Sequence, residues 1–313
     1  MVGMRAISAL FVLLVFPSFA TGSTAQWDRK AGLPLARGEV TAARVGADIF
    51  VVGGFTADGA NSPRVDAYSP ARNTWRQVPD LPVSVDHAMS AGYRGKLYVA
   101  GGYAADRSRL KTLFSFSSGS WKRLPAMPAE RAAAGAAIVR GRLYVVGGVT
   151  AGASGGRALA RTALVYDIAR QRWSSIPGPT PREHLGVASL GGRVYAVGGR
   201  LAGAETNLRL LEVYASEART WRRLSPVPGR RGGTAAAGTG RWIVSAGGET
   251  PTVTIRTVYR FEVRRPRWSR LPNLPTPRHG LGVAALGGKV YAIGGGTTPG
   301  LAVSSANESL TIR

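Results

Sequence analysis

The sequence predicts an all-β fold, a six-bladed β-propeller with four antiparallel strands in each blade, and three observations support this prediction. A glycine doublet recurs at intervals of 46 to 51 residues, and such a period is typical of a repeat architecture. A tryptophan precedes each doublet by 25 or 26 residues. Each repeat also contains four short stretches with strand character. The doublets are Gly53-Gly54, Gly101-Gly102, Gly147-Gly148, Gly198-Gly199, Gly247-Gly248 and Gly294-Gly295.

The third repeat illustrates the four predicted strands. Its first strand, Ala132–Ile138, is rich in small residues, and a turn at Gly141 reverses the chain. The second strand carries Tyr144, three residues before the doublet, and the third carries Tyr166. The fourth begins at Trp173. Four antiparallel strands of this kind form one blade, and blades arranged radially form a propeller.

The two ends of the repeat array predict how the ring closes. Trp27 has the position of a fourth-strand tryptophan, but no repeat precedes it. After Gly295, residues 304–312 are long enough for a third strand, and no tryptophan follows them. We therefore expect the strand at Trp27 to complete the last blade, so that residues 26–313 form one six-bladed domain.

Through these residues the chain resembles the kelch-repeat family over residues 27–313. The motifs that carry the resemblance are the doublets, the segment Tyr144-Val145-Val146-Gly147-Gly148, the pair Tyr166-Asp167 and the repeated tryptophan. The fifth repeat departs most from the pattern, because Val244 replaces the aromatic residue before its doublet. The resemblance implies a propeller fold and a ligand-binding or enzymatic role at one end of the ring.

The first 25 residues predict a secretory signal peptide. Arg5 precedes an uncharged run, Ala6–Ala20, and small residues allow cleavage after Ala20 or Ala25. The run is short for a membrane span, and no later segment approaches the necessary length. We therefore expect an exported protein, in the periplasm or the medium. The chain contains no cysteine, so it has neither disulfides nor thiolate chemistry.

The chain is strongly basic, with 41 Lys and Arg against 17 Asp and Glu and a formal net charge of +24. The arginines are spread over every repeat, so the charge reflects either an acidic partner or a generally arginine-rich composition. The sequence has no nucleic-acid recognition module, and we expect no nucleic-acid partner. We expect the propeller to be a monomer.

The candidate ligand site lies where each inner strand begins. The position sixteen residues before each doublet reads Arg37, Val85, Arg131, Arg182, Arg231 and Arg278. The next two positions hold all three histidines of the chain, in the second, fourth and sixth repeats. The predicted ligand-binding residues are Arg37, Asp86, His87, Arg131, Arg182, Glu183, His184, Arg231, Arg278 and His279.

Five arginines around one mouth suit a carboxylate, sulfate or phosphate, because each guanidinium offers a fork of donors. Loop arginines add to the same end of the ring, namely Arg64, Arg107, Arg109, Arg157 and Arg200. The alternative is that the repeated arginine bonds backbone carbonyls or acids of adjoining strands. The sequence is compatible with both roles of the repeated arginine.

The candidates for proton transfer are Glu183, His184 and His87, since histidine titrates near neutrality and a carboxylate orients it. Neighbours on an extended strand point to opposite faces, so the adjacent acid and histidine need not act together. Three histidines also raise the possibility of a metal site. We expect no metal and no cofactor, because His279 lies one position out of register and we expect the mouth to be too wide for shared ligation.

The predicted function is the binding of an acidic ligand at the mouth, whether an acidic glycan, a sugar acid or a protein segment. The alternative is an enzyme. The resemblance extends to exported six-bladed bacterial kelch proteins that are sialic-acid mutarotases, which implies a mutarotase or epimerase acting on an acidic sugar. In that reading Arg182 would hold the sugar carboxylate, and Glu183 or His184 would move the proton. Oxidases of the galactose oxidase type, which also resemble kelch proteins, need a cysteine-linked tyrosine and are excluded.

Overall fold

The computed structural model describes residue 2 and residues 25–215 and 218–313, and it confirms the six-bladed propeller. Six four-stranded antiparallel sheets surround a central channel. Helix within these residues is confined to a short 3-10 turn, Ala204–Thr206. The predicted signal peptide lies almost entirely outside the described residues. No helix in the described part of the chain is long and apolar enough to cross a membrane.

The first three blades follow the predicted strand order, with one additional hairpin in the third. Strand β1 is Trp27–Arg29. Blade 1 consists of β2 (Thr41–Val45), β3 (Asp48–Val52), β4 (Val65–Ser69) and β5 (Thr74–Val78), and blade 2 of β6 (Met89–Tyr93), β7 (Lys96–Ala100), β8 (Leu113–Ser117) and β9 (Ser120–Arg123). Blade 3 consists of β10 (Gly135–Val139), β11 (Arg142–Val146), β14 (Thr162–Asp167) and β15 (Arg172–Pro177), with β12 (Val149–Ala151) and β13 (Arg157–Leu159) as the hairpin.

The remaining blades complete the ring. Blade 4 consists of β16 (Glu183–Leu190), β17 (Arg193–Arg200), β18 (Leu211–Ala215) and β19 (Thr220–Arg223), and blade 5 of β20 (Ala235–Thr239), β21 (Trp242–Ala246), β22 (Val258–Glu262) and β23 (Arg267–Leu271). Blade 6 consists of β24 (Gly282–Leu286), β25 (Lys289–Ile293), β26 (Asn307–Thr311) and β1.

The ring closes as the sequence predicts, because β1 is the outermost strand of blade 6. Trp27 pairs with Leu310 in an antiparallel register. The Trp27 side chain is buried in the cluster that also contains Leu310. Its indole Nε1 donates a hydrogen bond to the carbonyl of Pro272 at 2.9 Å, which ties blade 6 to blade 5.

The other repeated tryptophans make the same connection between neighbouring blades. Trp173 of blade 3 is an example. Its ring packs on Tyr166 of the same blade, with 5.0 Å between the ring centroids. Its Nε1 donates to the carbonyl of Pro125 in blade 2 at 2.8 Å. Equivalent bonds run from Trp75 to Ala31, from Trp121 to Pro79, from Trp221 to Pro177 and from Trp268 to Ser225.

The glycine doublets connect the blades near the channel. Gly101 and Gly102 have φ angles of +54° and +99°, which favour glycine. The N–H of Gly102 donates to the carbonyl of Arg131 in the next blade at 2.8 Å. A Cβ on Gly101 would lie 2.2 Å from that oxygen, so the close approach also requires the absence of a side chain. The second glycine of every doublet makes the corresponding bond to the next blade.

Candidate functional site

A ring of six backbone positions surrounds the channel axis at the end where the inner strands begin. Each of these positions has a left-handed φ between +50° and +66°. An N–H···O=C bond runs from each position to the one in the preceding blade, such as His87 to Glu39 at 3.2 Å and His184 to Ala133 at 2.8 Å, and the N–H of Val40, next to Glu39, closes the ring with a bond to Gly280 at 3.1 Å. We call this the axial ring, and its members are Glu39, His87, Ala133, His184, Gly233 and Gly280.

The three large side chains of the axial ring meet one another. The Nε2 atoms of His87 and His184, two blades apart, are 2.9 Å from each other. His87 Nε2 also lies 3.1 Å from Glu39 Oε2. All three side chains line both the upper part of the channel and the pocket above it, so they separate the two spaces.

The left-handed backbone explains why the side chains of an acid and of the histidine after it contact each other. The backbone of His87 is left-handed, with φ at +50°, and not extended. Its Nδ1 therefore contacts Oδ1 of the preceding Asp86. His184, at φ +52°, places Nδ1 3.4 Å from Glu183 Oε1. The expectation that adjacent side chains point apart was based on an extended strand, and it is wrong at these two positions.

His279 joins the cluster from the position before the axial ring. Its Nδ1 lies 3.1 Å from Glu39 Oε1, and its Nε2 donates to the carbonyl of Thr298 at 3.1 Å. The space that Glu39 occupies is open because residue 280 is glycine, where a Cβ would lie 2.4 Å from the Glu39 carboxyl carbon. The register difference noted in the sequence therefore does not separate His279 from the other two histidines.

Loop arginines hold the acids of the cluster from outside. Arg107 Nη1 donates to Asp86 Oδ2 at 2.7 Å, and its guanidinium lies 4.3 Å from the ring centre of Tyr103. Arg157 Nη2 lies 2.7 Å from Glu183 Oε2. Arg200, which the sequence placed at this end of the ring, donates to a further acid, Glu249, at 2.6 Å. The loops therefore supply the arginines that contact the cluster.

The charges in the cluster are set by burial and by these pairings. Burial disfavours the charged form of Glu39, but His87 and His279 outweigh it and hold the pKa of Glu39 well below its usual range. Burial also opposes a charge on His87 and on His279, yet Glu39 raises the pKa of both. Burial lowers the pKa of His184 in spite of the nearby Glu183. The two facing imidazoles are therefore shifted in opposite directions, the pKa of His87 upward and that of His184 downward.

The five repeated arginines do not join the cluster. Each is buried and bonds within its own blade. Arg278, for example, donates to Glu308 at 2.7 Å and to the carbonyls of Gly294 and Ala306, both at 2.9 Å. The main partners of the others are Asp66 for Arg37, Thr150 and Thr162 for Arg131, Glu212 for Arg182, and Ser245 and Thr257 for Arg231. This is the alternative that the sequence left open, and it provides no exposed donor for a ligand.

Further residues of the site come from the position directly after each glycine doublet. In every blade this residue pairs with the residue before the axial ring, as Tyr103 does with Asp86. The set is Phe55, Tyr103, Val149, Arg200, Glu249 and Gly296. Only Arg200 among these was expected at this end from the sequence, although the constant position after the doublet would have identified the whole set. Glu39 was also missed as a site residue, although it precedes the first inner strand as His87 precedes the second.

A pocket of about 260 Å³ opens above the cluster, and we call it the mouth pocket. Its walls are Glu39, Phe55, His87, His184, Arg200, Glu249, His279, Gly300, Leu301 and Ala302. This volume is near the lower limit for small-ligand pockets, so it suits one sugar unit or one or two side chains.

The same cluster contains three side chains that could hold a metal ion. Glu39, His87 and His184 each offer one ligand atom, and these atoms lie within 4.8 Å of one another. From the sequence no metal was expected, because His279 lies one position out of register and the mouth was expected to be too wide for shared ligation. That premise does not hold, because side chains from three different blades meet at the axis.

Comparisons with known proteins agree with the repeat pattern. The model of the KLHDC2/KLHL20/DRC7 Kelch-repeats domain matches residues 11–178, and that of the Kelch motif matches residues 181–228. The chain is 29% identical to Kelch-like protein terF of Aspergillus terreus over 253 residues, which are 74% of this chain and 55% of terF. It is 25% identical to Beta-scruin of Limulus polyphemus over 222 residues, 68% of this chain and 24% of Beta-scruin. An F-box/kelch-repeat protein of Arabidopsis thaliana is 32% identical over 97 residues, 30% of this chain and 26% of that protein. The chain thus spans about half the length of these relatives or less.

Proposed function

We propose that this chain, which belongs to the kelch-repeat family, is an exported binding module that holds an acidic ligand over the mouth pocket. Propellers of this family typically bind proteins or other ligands. A propeller fold by itself does not determine what is bound, so the proposal depends on the chemistry of the mouth.

The observation that carries the proposal is the unequal exposure of the charges at the mouth. The side chains of Arg107 and Arg157 are 51% and 44% exposed. Their acidic partners, Asp86 and Glu183, are 0% and 6% exposed. An incoming ligand therefore meets guanidinium groups first, and the carboxylates lie beneath them. Forked donors of this kind suit a carboxylate, and the high net positive charge assists its approach.

Exposed aliphatic side chains add an apolar part to the same surface. Leu201, Val253 and Leu301 are the large hydrophobic residues exposed within residues 25–215 and 218–313. All three lie in loops between the second and third strands, on blades 4, 5 and 6. The arginines lie on blades 2 and 3, so the mouth is cationic on one side and partly apolar on the other. This combination fits an acidic glycan, a sugar acid or an acidic protein segment.

Titration calorimetry with defined acidic probes tests the binding proposal. Suitable probes are glucuronate, N-acetylneuraminate and a hexaglutamate peptide, each compared with an uncharged analogue. We expect at least one acidic probe to bind, with affinity that falls as salt increases from 50 to 300 mM. The double variant Arg107→Gln/Arg157→Gln should bind it at least about 10-fold more weakly, because two charge-assisted contacts are lost.

The matched control is Arg142→Gln/Arg170→Gln. These two arginines both face Asp167 at the opposite end of the propeller, so this variant removes the same charge far from the mouth. It should bind as the parent protein does. Equal weakening by both double variants, or equal binding of the uncharged analogues, would contradict recognition of an acidic group at the mouth.

A mutarotase or epimerase acting on an acidic sugar such as sialic acid is the second candidate. The observation that favours it is the contact between His87 and His184, which places an imidazole of raised pKa beside one of lowered pKa in one pocket wall. Such a pair can donate one proton and accept another. Exchange spectroscopy by NMR on N-acetylneuraminate should then show faster anomer exchange with the protein, and loss of the effect in His184→Ala. An unchanged exchange rate leaves the binding module as the function.

Export is part of the proposal and is supported by residues 1–25 of the sequence. Expression of the full chain in a bacterium, followed by cell fractionation and N-terminal sequencing, tests it. We expect the protein outside the cytoplasm, beginning at Thr21 or Gln26. An uncleaved chain in the cytoplasm would contradict export without affecting the binding test.

A further inference from the structure

We infer that Glu39, His87 and His184 form a binding site for a divalent transition-metal ion at the junction of the channel and the mouth pocket. The inference rests on contacts within the axial ring and not on the acidic ligand proposed above.

The geometry of the three ligand atoms is the first observation. The Nε2 atoms of His87 and His184 are 2.9 Å apart, and His87 Nε2 is 3.1 Å from Glu39 Oε2. Two atoms each about 2.1 Å from an ion are roughly 3.0 Å apart at a right angle and roughly 3.4 Å apart at the tetrahedral angle. The two measured separations therefore match adjacent ligands of one ion.

The second observation is that the other polar atom of each ligand faces a partner. His87 Nδ1 contacts Asp86 Oδ1, and His184 Nδ1 faces Glu183 Oε1 at 3.4 Å. Glu39 Oε1 lies 3.1 Å from His279 Nδ1. Metal-binding histidines commonly direct their second nitrogen at a carboxylate, which fixes the ring and makes the first nitrogen a better ligand. Two such carboxylate–histidine pairs converge here.

The hydrogen bonding within the cluster is incomplete without an ion. His87 Nε2 faces both His184 Nε2 and Glu39 Oε2, but a single N–H cannot be aimed well at both. His184 Nδ1 is buried with Glu183 Oε1 facing it at 3.4 Å and no closer partner among the described residues, so Nε2 is the nitrogen that His184 presents to the cluster. Buried polar atoms are usually satisfied, so the two acceptors that face one N–H, His184 Nε2 and Glu39 Oε2, need an explanation. A cation bound here would displace the proton of His87 Nε2 to solvent and accept one lone pair from each of the three atoms.

The ligand types define the class of ion. Two imidazoles and one carboxylate on one side of an ion suit iron(II), cobalt(II), nickel(II) or zinc(II). The three ligands arise from blades 1, 2 and 4, and Ala133, Gly233 and Gly280 leave the rest of the axial ring without further donor side chains. The remaining positions of the ion would face the mouth pocket, where water or a ligand could occupy them.

The composition of the chain reduces competing metal binding in a titration. It contains three histidines and no cysteine, so tag-free protein offers few other strong sites for these ions. Tag-free protein is treated with a chelator, dialysed, and titrated with zinc(II) by calorimetry. Cobalt(II) titration by visible absorption reports the ligand environment. We expect one ion per chain in both measurements.

Alanine variants identify the ligands. His87→Ala and His184→Ala should each lower zinc affinity by more than about 100-fold, since each removes a direct ligand. Alanine is compatible with the backbone, because Ala133 occupies the same ring position at φ +52°. Circular dichroism of the metal-free variants verifies the fold.

Two further variants separate ligands from neighbouring residues. His279→Gln should lower affinity by about 10 to 100-fold, because it only supports the Glu39 carboxylate. Gly280→Ala places a methyl group where that carboxylate lies and should weaken binding more than Gly233→Ala, whose Cβ comes no closer than 3.1 Å to any atom, the nearest being the Cβ of His279. Failure to bind zinc or cobalt at 0.1 mM, or binding that survives loss of both His87 and His184, would overturn the inference.

Discussion

The buried pair Arg278 and Glu308 provides a direct test of what the repeated arginines do. Arg278→Met leaves the Glu308 carboxylate without its cation, and both side chains are at most 2% exposed. Removing one partner of a buried ion pair costs about 3 to 5 kcal/mol. The variant Arg278→Met/Glu308→Leu removes the charge as well. Both variants take the Arg278 donor from the carbonyls of Thr276, Ala292, Gly294 and Ala306, and the double variant also removes the acceptor of the Thr276 hydroxyl. Because the carbonyl bonds are lost in both variants, the double variant should be less destabilised than the single one by the cost of the unpaired carboxylate less that of the Thr276 bond, about 1 to 3 kcal/mol.

Blade 2 shows that an apolar pair is compatible with this position. Val85 stands where the other blades have arginine, and Phe114 occupies the place that corresponds to Glu308. Reversible urea unfolding of the parent, the single and the double variant measures the free energies. A double variant at least as unstable as the single one would refute the argument. Ligand binding at the mouth should be unchanged in the double variant. Loss of binding by a variant with an intact fold would show that Arg278 takes part in ligand binding.

Two further stability predictions follow from the connections between blades. Trp27→Ala should destabilise the propeller by about 3 to 5 kcal/mol, because it removes a buried aromatic ring from the closing strand; urea unfolding measures this, and a cost below about 1 kcal/mol would mean that β1 does not hold the ring closed. Trp173→Phe keeps the packing on Tyr166 but removes the bond to Pro125, so about 0.5 to 1.5 kcal/mol is expected in the same assay. A loss of unfolding free energy as large as that of Trp27→Ala would show that Trp173 contributes mainly through the packing of its indole and not through this bond.

The sequence predicted the architecture because its determinants are local and repeated. The doublets and the spaced tryptophans fix the strand order, and Trp27 without a preceding repeat indicates the closure. That the three histidines lie at one end of the ring was also predictable, since all three precede inner strands. The direction of each side chain was not, because it depends on backbone angles that no residue type reveals.

The arginines and the histidines illustrate this limit. Arg182 and His184 are two positions apart, yet Arg182 turns into its blade toward Glu212 and His184 turns to the channel axis. The left-handed φ at residue 184 produces this difference, and alanine at residue 133 adopts the same angle. Glu39 could not be recognised from its neighbours in the sequence, because its contact with His279 joins residues 240 positions apart along the chain.

The way blade 6 is assembled has a consequence for the order of folding. Trp27 and Leu310 are neighbours in one sheet but are separated by almost the entire chain. Bringing such distant segments together has a large entropic cost and tends to slow folding. Blades 1 to 5 are built from contiguous segments and can form while blade 6 still lacks its outer edge. Until residues 307–311 have been synthesised, the segment at Trp27 has no strand to pair with, so completion of the ring is a late event that depends on the last part of the molecule to be made.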